Sequence, residues 1–181
     1  TGYVGLVSGT CFAEVGNSVV CCDIDAEKIR SLSAGIMPIY ENGLKELVDK
    51  NVDENRLFFS TDIPKAIREA DIIYIAVGTP MSESGEADLT YVKAVAETIG
   101  RHLNGYKIIV NKSTVPVGTG KLVQSIIEQA SQGRHLFDVV SNPEFLREGT
   151  AIYDTMNMER AVIGATSEKA AAIIEELHEP F

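Results

Sequence analysis

TGYVGLVSGTCFAEVG (residues 1–16) runs directly into NSVVCCDID (17–25), and the way these two stretches fit together decides the fold. Gly2 and Gly5 stand as the last two glycines of a G-x-G-x-x-G pattern whose first glycine would sit one residue before Thr1. Glycines so spaced follow a strand and open a helix. The helix then runs over 3–15, and 17–25 reads as a strand ending at the acids Asp23 and Asp25. A further strand is expected ahead of Thr1, in about 5–10 residues that also hold the first glycine.

Outward from this pair, apolar β-branched runs alternate with helical patterns. Strands are expected at 70–80 (ADIIYIAVGTP), 106–114 (YKIIVNKST), 137–145 (FDVVSNPEF) and, shorter, 160–166 (RAVIGAT). Their unalternated hydrophobicity is what parallel strands covered on both faces require. Helices are expected at 26–34, 62–69, 88–103, 118–131 and 167–178, with Asp88 and Ser167 as N-caps. Only 36–60 breaks the rhythm, reading as a loop followed by a short helix. Such alternation predicts an α/β, doubly wound, mostly parallel sheet with helices on both faces. In the Rossmann order 3-2-1-4-5-6 the strand expected before Thr1 is central, and its loss would open two strand edges.

The length of 181 residues suits one domain, 1–181, and 45% hydrophobic residues are enough to build its core. No apolar run approaches the roughly 20 residues that span a bilayer, so no membrane partner is expected. The formal net charge of −10 argues against nucleic acid as a partner. A small phosphorylated ligand remains compatible, because backbone N–H groups bind it locally. Cys11, Cys21 and Cys22 show no metal-ligand spacing and read as small buried hydrophobes, which fits a reducing, cytoplasmic compartment. His102, His135 and His178 are scattered, so no metal site is expected.

Asp23 lies 21 positions after Gly2, near the spacing at which a carboxylate accepts the ribose hydroxyls of a dinucleotide. The glycines would let a pyrophosphate approach the backbone at the positive end of the helix. An acid at Asp23 favours NAD over NADP, whose 2′-phosphate it would repel. The bland alternative makes Gly2 and Gly5 packing glycines and Asp23 a solvated turn residue. Ligands of such sheets bind beyond the carboxyl ends of the strands, here VGTP (77–80), KSTVPVG (112–118) and NPEFLREG (142–149). In the last, Glu144 and Glu148 would share a face if the segment were helical, a pair able to orient water or move a proton. On the residues alone, an exposed helix start with acids near its positive end is the preferred reading.

Taken in order, TGYVGLVSGTCFAEVG, CCDIDAEKI, PIYENGL, AVGTP…GEADLTYV, NKSTVPVGT and NPEFLREGTAIYD resemble the UDP-glucose/GDP-mannose dehydrogenase family over almost the whole chain. The resemblance implies a Rossmann-like NAD-binding domain at the N-terminal end of a longer enzyme. It implies the NAD-dependent, four-electron oxidation of UDP-glucose, or another nucleotide sugar such as GDP-mannose, at C6. A cysteine would carry the intermediate as thiohemiacetal and then thioester. By the same resemblance Gly2, Tyr3, Val4 and Gly5 lie against the cofactor pyrophosphate, Asp23 binds its ribose, and Lys28 is a basic cofactor contact. Val77, Thr79, Ser113 and Thr114 line the nicotinamide side, Thr114 also positioning the catalytic water or proton. Glu144, Phe145 and Leu146 face the sugar nucleotide. Glu144 and Glu148 become the proton-handling carboxylates, with Glu148 also close to the nicotinamide, which reverses the preference drawn from the residues alone.

Two departures stand out. Asn42 replaces the family's proline in YENGL, which is expected to loosen that loop, and Met158 stands where proline is usual before Arg160. The nucleophilic cysteine, its lysine and aspartate partners and a dimer-forming central helix belong to the family's second half, so this chain alone is expected to bind NAD and oxidise nothing. A homodimer is expected of the full-length protein. A non-catalytic NAD-binding module is the reading from a different class.

Overall fold

The computed structural model describes residues 1–82 and 85–181. In chain order they form α1 (Tyr3–Glu14), β1 (Val19–Cys22), α2 (Ala26–Ser33), α3 (Leu44–Asp53) and β2 (Leu57–Ser60). There follow α4 (Ile63–Glu69), β3 (Ile72–Ile75), α5 (Thr90–His102), β4 (Lys107–Asn111) and α6 (Thr119–Ser131). The described chain closes with β5 (Phe137–Ser141), α7 (Ala151–Met156), β6 (Gly164–Ala165) and α8 (Glu168–His178). The α/β alternation is the one the apolar runs predict, and none of the described helices is long and apolar enough to cross a membrane.

The chain divides into two compact units. The first comprises 1–66, 145–160 and 180–181. Its two-stranded sheet pairs β1 with β2 in parallel, from Val19 opposite Leu57 to Cys22 opposite Ser60. α1 is buried from Leu6 through Ala13, as expected of a helix that is apolar all round. It packs with Cys21, Leu32, Leu44, Val48, Leu57, Ala151 and Ile152 in one core. Gly9 lets α1 approach β1: a Cβ built there would lie 2.6 Å from the Cys21 sulfur and 3.5 Å from Val19 Cγ1. The far end of α1 is tied down by polar groups. Buried Asn51 donates to Glu14 Oε2 at 2.8 Å, and Arg56 Nε donates to the Ala13 carbonyl and to Asn51 Oδ1, both at 2.9 Å.

The second unit comprises 67–144 and 161–179. Here β3, β4 and β5 are parallel neighbours and β6 adds an antiparallel edge, with Val140 opposite Ala165. Every residue of β4 is buried, as a central strand requires. On one face Ile108, Val110 and Val140 meet Ala170 and Ile174 of α8. α5 and α6 touch closely, since a Cβ on Gly100 would lie 2.7 Å from the Ile127 carbonyl oxygen. Lys107, although buried, keeps its ammonium paired by donating to the carbonyls of Arg68 at 3.1 Å and Ala70 at 2.5 Å.

The described strands form two sheets, β1-β2 and β3-β4-β5-β6. Several expectations are corrected. The stretch 36–60 hides β2 at its end, because Leu57, Phe58 and Phe59 pair in register with β1. The loop expected to loosen at Asn42 is anchored on both sides of that residue, as the Glu41 contacts below show. Residues 142–147 are neither helix nor strand, and Gly149 takes a left-handed φ of +91°, so Glu144 and Glu148 do not share a helical face. A helix begins only at Ala151. Ser167 caps α8 as expected, accepting from Ala170 N at 3.2 Å. Leu89 holds the N-cap position of α5, yet the Asp88 carboxylate still accepts from Thr90 N at 2.9 Å.

Candidate functional site

In the first unit, Gly2 is the N-cap of α1, with an extended backbone (φ −70°, ψ −175°). No side chain caps this end and no acid occupies its first turn. The first intrahelical bond at this end runs from Leu6 N to the Gly2 carbonyl at 2.9 Å, which leaves the N–H groups before it without a partner in the helix. A Cβ on Gly2 would meet nothing within 4 Å, so the space over the helix end is open. Free donors, positive helix end and open approach suit a pyrophosphate. Tyr3, Val4 and Gly5 form the same turn, each half-buried.

Asp23 follows β1, its side chain 13% exposed. It accepts from Lys28 Nζ at 2.8 Å, the Thr1 hydroxyl at 2.7 Å and Asp25 N at 3.0 Å. Burial pushes its carboxyl up, but these donors outweigh burial and hold it well below the usual carboxylate range. Asp23 is thus ionised and fixed where a ribose diol could donate to it. Lys28 is placed on Asp23 rather than standing alone. Next to it Asp25, the second acid of that strand end, caps α2 by accepting from Glu27 N and Lys28 N, both at 3.0 Å.

Sequence reasoning also missed Glu41. Its carboxylate, 5% exposed, accepts from the Tyr3 hydroxyl at 2.5 Å, Gly149 N at 2.8 Å and Ala151 N at 2.9 Å. Burial raises this carboxyl, and the hydrogen bonds from Tyr3 and from the backbone of Gly149, Ala151 and Asn42 bring it net below its ordinary value. Leu44 N also donates to the Glu41 carbonyl at 3.1 Å, closing the turn around Asn42. The only signal in the sequence was an acid in the quoted stretch PIYENGL, with nothing to mark its partners.

The same unit holds Phe145, Leu146 and Glu148. Phe145 and Glu148 are exposed, while Leu146 packs against the apolar core around α1. Arg147 grips Asp154 with two hydrogen bonds, of 3.0 and 2.7 Å, and Thr150 donates to the same carboxylate at 2.9 Å. The Arg160 guanidinium lies 6.0 Å over the Phe145 ring. These contacts give the 145–150 segment a fixed shape without helix, up to the start of α7 at Ala151.

In the second unit, the loops after β3 and β4 meet. The Ser113 hydroxyl donates to the Val77 carbonyl at 2.7 Å, and the Thr79 hydroxyl donates to the Thr114 carbonyl at 3.0 Å. Val77, Thr79, Ser113 and Thr114 are therefore brought together, with two of the hydroxyls already serving the backbone. The Thr114 residue is exposed. Beneath this cluster, buried Lys112 donates to Asn142 Oδ1 at 3.0 Å, and Asn142 Nδ2 donates to the Val162 carbonyl at 2.9 Å. Burial pulls the Lys112 ammonium down to about 8, with Glu144 acting in the opposite direction. Glu144 lies in this unit, half-buried, just past Asn142 and Pro143.

The sequence profile of the UDP-glucose/GDP-mannose dehydrogenase family, NAD binding domain, matches residues 1–181. Among curated relatives, the chain is 79% identical over 181 residues to the UDP-glucose 6-dehydrogenase TuaD of Bacillus subtilis, covering 100% of this chain and 39% of that protein. It is 44% identical to a UDP-glucose 6-dehydrogenase of Pseudomonas aeruginosa, covering 99% of this chain and 40% of that one. Among solved structures, a UDP-glucose dehydrogenase from Pyrobaculum islandicum matches with a TM-score of 0.94 at 40% identity, over 98% of this chain and 42% of that one. A GDP-mannose dehydrogenase from Pseudomonas aeruginosa matches with a TM-score of 0.93 at 36% identity, again over 98% and 42%. The chain thus spans about two fifths of the length of the proteins it matches.

Proposed function

The chain belongs to the UDP-glucose/GDP-mannose dehydrogenase family as its NAD-binding domain, and from that premise we propose that the whole protein oxidises UDP-glucose to UDP-glucuronate, consuming two NAD⁺ and one water. The observation that carries this reading is the 79% identity to TuaD over the full chain. When bound, NAD supplies a two-electron acceptor; the rest of the proposal concerns this chain's own residues.

The Gly2–Gly5 turn holds the pyrophosphate through backbone N–H groups, because nothing else caps that helix end. Ionised Asp23 accepts from the ribose diol, and Lys28 holds that carboxylate in place. Val77, Thr79, Ser113 and Thr114 form one wall of the nicotinamide subsite. The Ser113 and Thr79 staples fix its shape, and the Thr114 hydroxyl orients the water or proton. Phe145 and Leu146 flank the sugar nucleotide. Glu144 and Glu148 move protons to and from the C6 oxygen and the attacking water. The whole protein acts as a homodimer in the cytoplasm.

The test is stoichiometry. The full-length protein with UDP-glucose should yield two NADH per sugar and release no aldehyde. One NADH with free aldehyde would refute the reading. The GDP-mannose dehydrogenase likeness, at 36% identity, makes GDP-mannose the competing substrate. Turnover of GDP-mannose above UDP-glucose in the same assay would favour it, since a mismatched base leaves buried polar groups unpaired.

A further inference from the structure

We propose that Glu41 is a positioning residue for the dehydrogenase reaction, holding Tyr3 of the cofactor-binding turn in register with the 149–151 backbone next to Glu148. The inference rests on the roles proposed above for Tyr3 and Glu148. Among the described residues no salt bridge accounts for Glu41: besides the neighbouring Asn42 backbone, its partners are a phenol 38 positions away and backbone N–H groups 108 and 110 positions away. A buried carboxylate is costly unless such donors converge on it, and an apolar side chain would fill the same volume without that cost. What the carboxylate adds is geometry. Oε2 accepts from both Tyr3 and Gly149, so one oxygen sets the distance between the first turn of α1 and the residue after Glu148. Oε1 accepts from Ala151 and fixes the rotation of the group. The Tyr3 hydroxyl also lies 3.5 Å from the Arg147 carbonyl, on the other side of Glu148 in the chain.

Glutamine cannot reproduce this arrangement. With its oxygen toward Tyr3 and Gly149, its NH₂ faces the Ala151 N–H; turned over, the NH₂ faces the Gly149 N–H. Glu41→Gln therefore keeps the shape and loses the register, whereas Tyr3→Phe removes only the contact to the cofactor turn.

The experiment is steady-state kinetics of the full-length protein with UDP-glucose and NAD, alongside direct NAD titration and thermal unfolding. Tyr3→Phe should raise KM for NAD severalfold. Glu41→Gln should raise KM for NAD and also lower kcat by about tenfold, as expected of a displaced proton-handling group. The double variant should be no worse in KM for NAD than Glu41→Gln alone. A Glu41→Gln protein that melts earlier but keeps kcat and KM would overturn the proposal. Should Glu41→Gln fail to fold, an unaltered KM for NAD in Tyr3→Phe overturns it equally. If the wild type makes no NADH from UDP-glucose, the proposed function fails. The NAD titrations then still decide whether Glu41 acts through Tyr3.

Discussion

Ser113 donates its hydroxyl proton to the Val77 carbonyl at 2.7 Å, so a side chain stitches together the loops that follow β3 and β4. Thr79 returns the stitch to the Thr114 carbonyl at 3.0 Å. Neighbouring residues of one motif therefore have separable duties. Ser113→Ala should cost about 1 kcal/mol of stability, the net worth of one such bond. Thr114→Ala should leave the unfolding midpoint unchanged yet depress turnover of the full-length protein by about 10² or more, as loss of a proton-handling group does. Denaturant midpoints and kcat on both variants check this; a Thr114→Ala enzyme of full activity would remove that residue from the mechanism.

Gly9 and Gly100 both mark close contacts, but with neighbours of different compliance. An added Cβ at position 9 meets a thiol at 2.6 Å, whereas at position 100 it meets a backbone carbonyl at 2.7 Å and Ala130 Cβ at 2.6 Å. Overpacking of this kind costs about 1–3 kcal/mol. Gly100→Ala should sit at or above the upper end and Gly9→Ala lower. Adding Cys21→Ala to Gly9→Ala should recover part of the loss, because it removes the atom struck. Additive losses in the double variant would show that the strain lies elsewhere.

If Asp23 holds the cofactor ribose as proposed, its carboxylate sets the preference between the two nicotinamide dinucleotides. Asp23→Asn should weaken NAD about tenfold, in line with losing a charge-assisted hydrogen bond of about 1.5–3 kcal/mol. It should also raise relative NADP affinity, since Lys28 at 2.8 Å loses its carboxylate partner and becomes available to a phosphate. Fluorescence titration with both dinucleotides reads the ratio. An unchanged ratio would mean that discrimination resides in other residues.

Lys112 gives stability a pH signature. Burial lowers its ammonium from 10.5 to about 8, so between those values the unfolded chain binds more protons than the folded one. Stability from this group must therefore rise with pH across that window and stay flat, at its penalised level, below it. Cys11 and Cys21, each pushed up to about 12 by burial, act in the opposite sense. Their contribution is complete below the ordinary thiol value and is lost as pH climbs through 12. The two trends overlap in any wild-type curve. Subtracting the curve of Lys112→Met should isolate a rise of about one proton between pH 8 and 10.5; a flat difference would refute the depressed lysine.

The parts of this fold that were legible are those written in contiguous residues. KIIVN and FDVVS announce parallel strands because each is an unalternated apolar run, KIIVN fully buried and FDVVS mostly half-buried, and Ser167 announces a helix start because its partner is three residues away. The strand β2 was not legible: Leu57, Phe58 and Phe59 make too short a run, and only pairing with β1 gives them a strand. Glu144 and Glu148 looked helical from spacing alone, but Pro143 and the left-handed Gly149 bracket a segment that has no helix. Of the site, the Gly2–Asp23 pair could be read from a spacing, whereas Glu41 could not. Its meaning lies in partners up to 110 positions away, which no local pattern encodes.

The burial of the thiols has a consequence for reagents as well as for stability. Alkylation proceeds through the thiolate, and a group titrating near 12 is ionised to only about one part in 10⁵ at neutral pH. Cys11 and Cys21 are both in that state and buried, and half-buried Cys22 is pushed in the same direction. Cys11 and Cys21 should therefore react slowly with iodoacetamide or maleimide. In the proposed enzyme, a nucleophilic cysteine outside this chain should be labelled well before either of them.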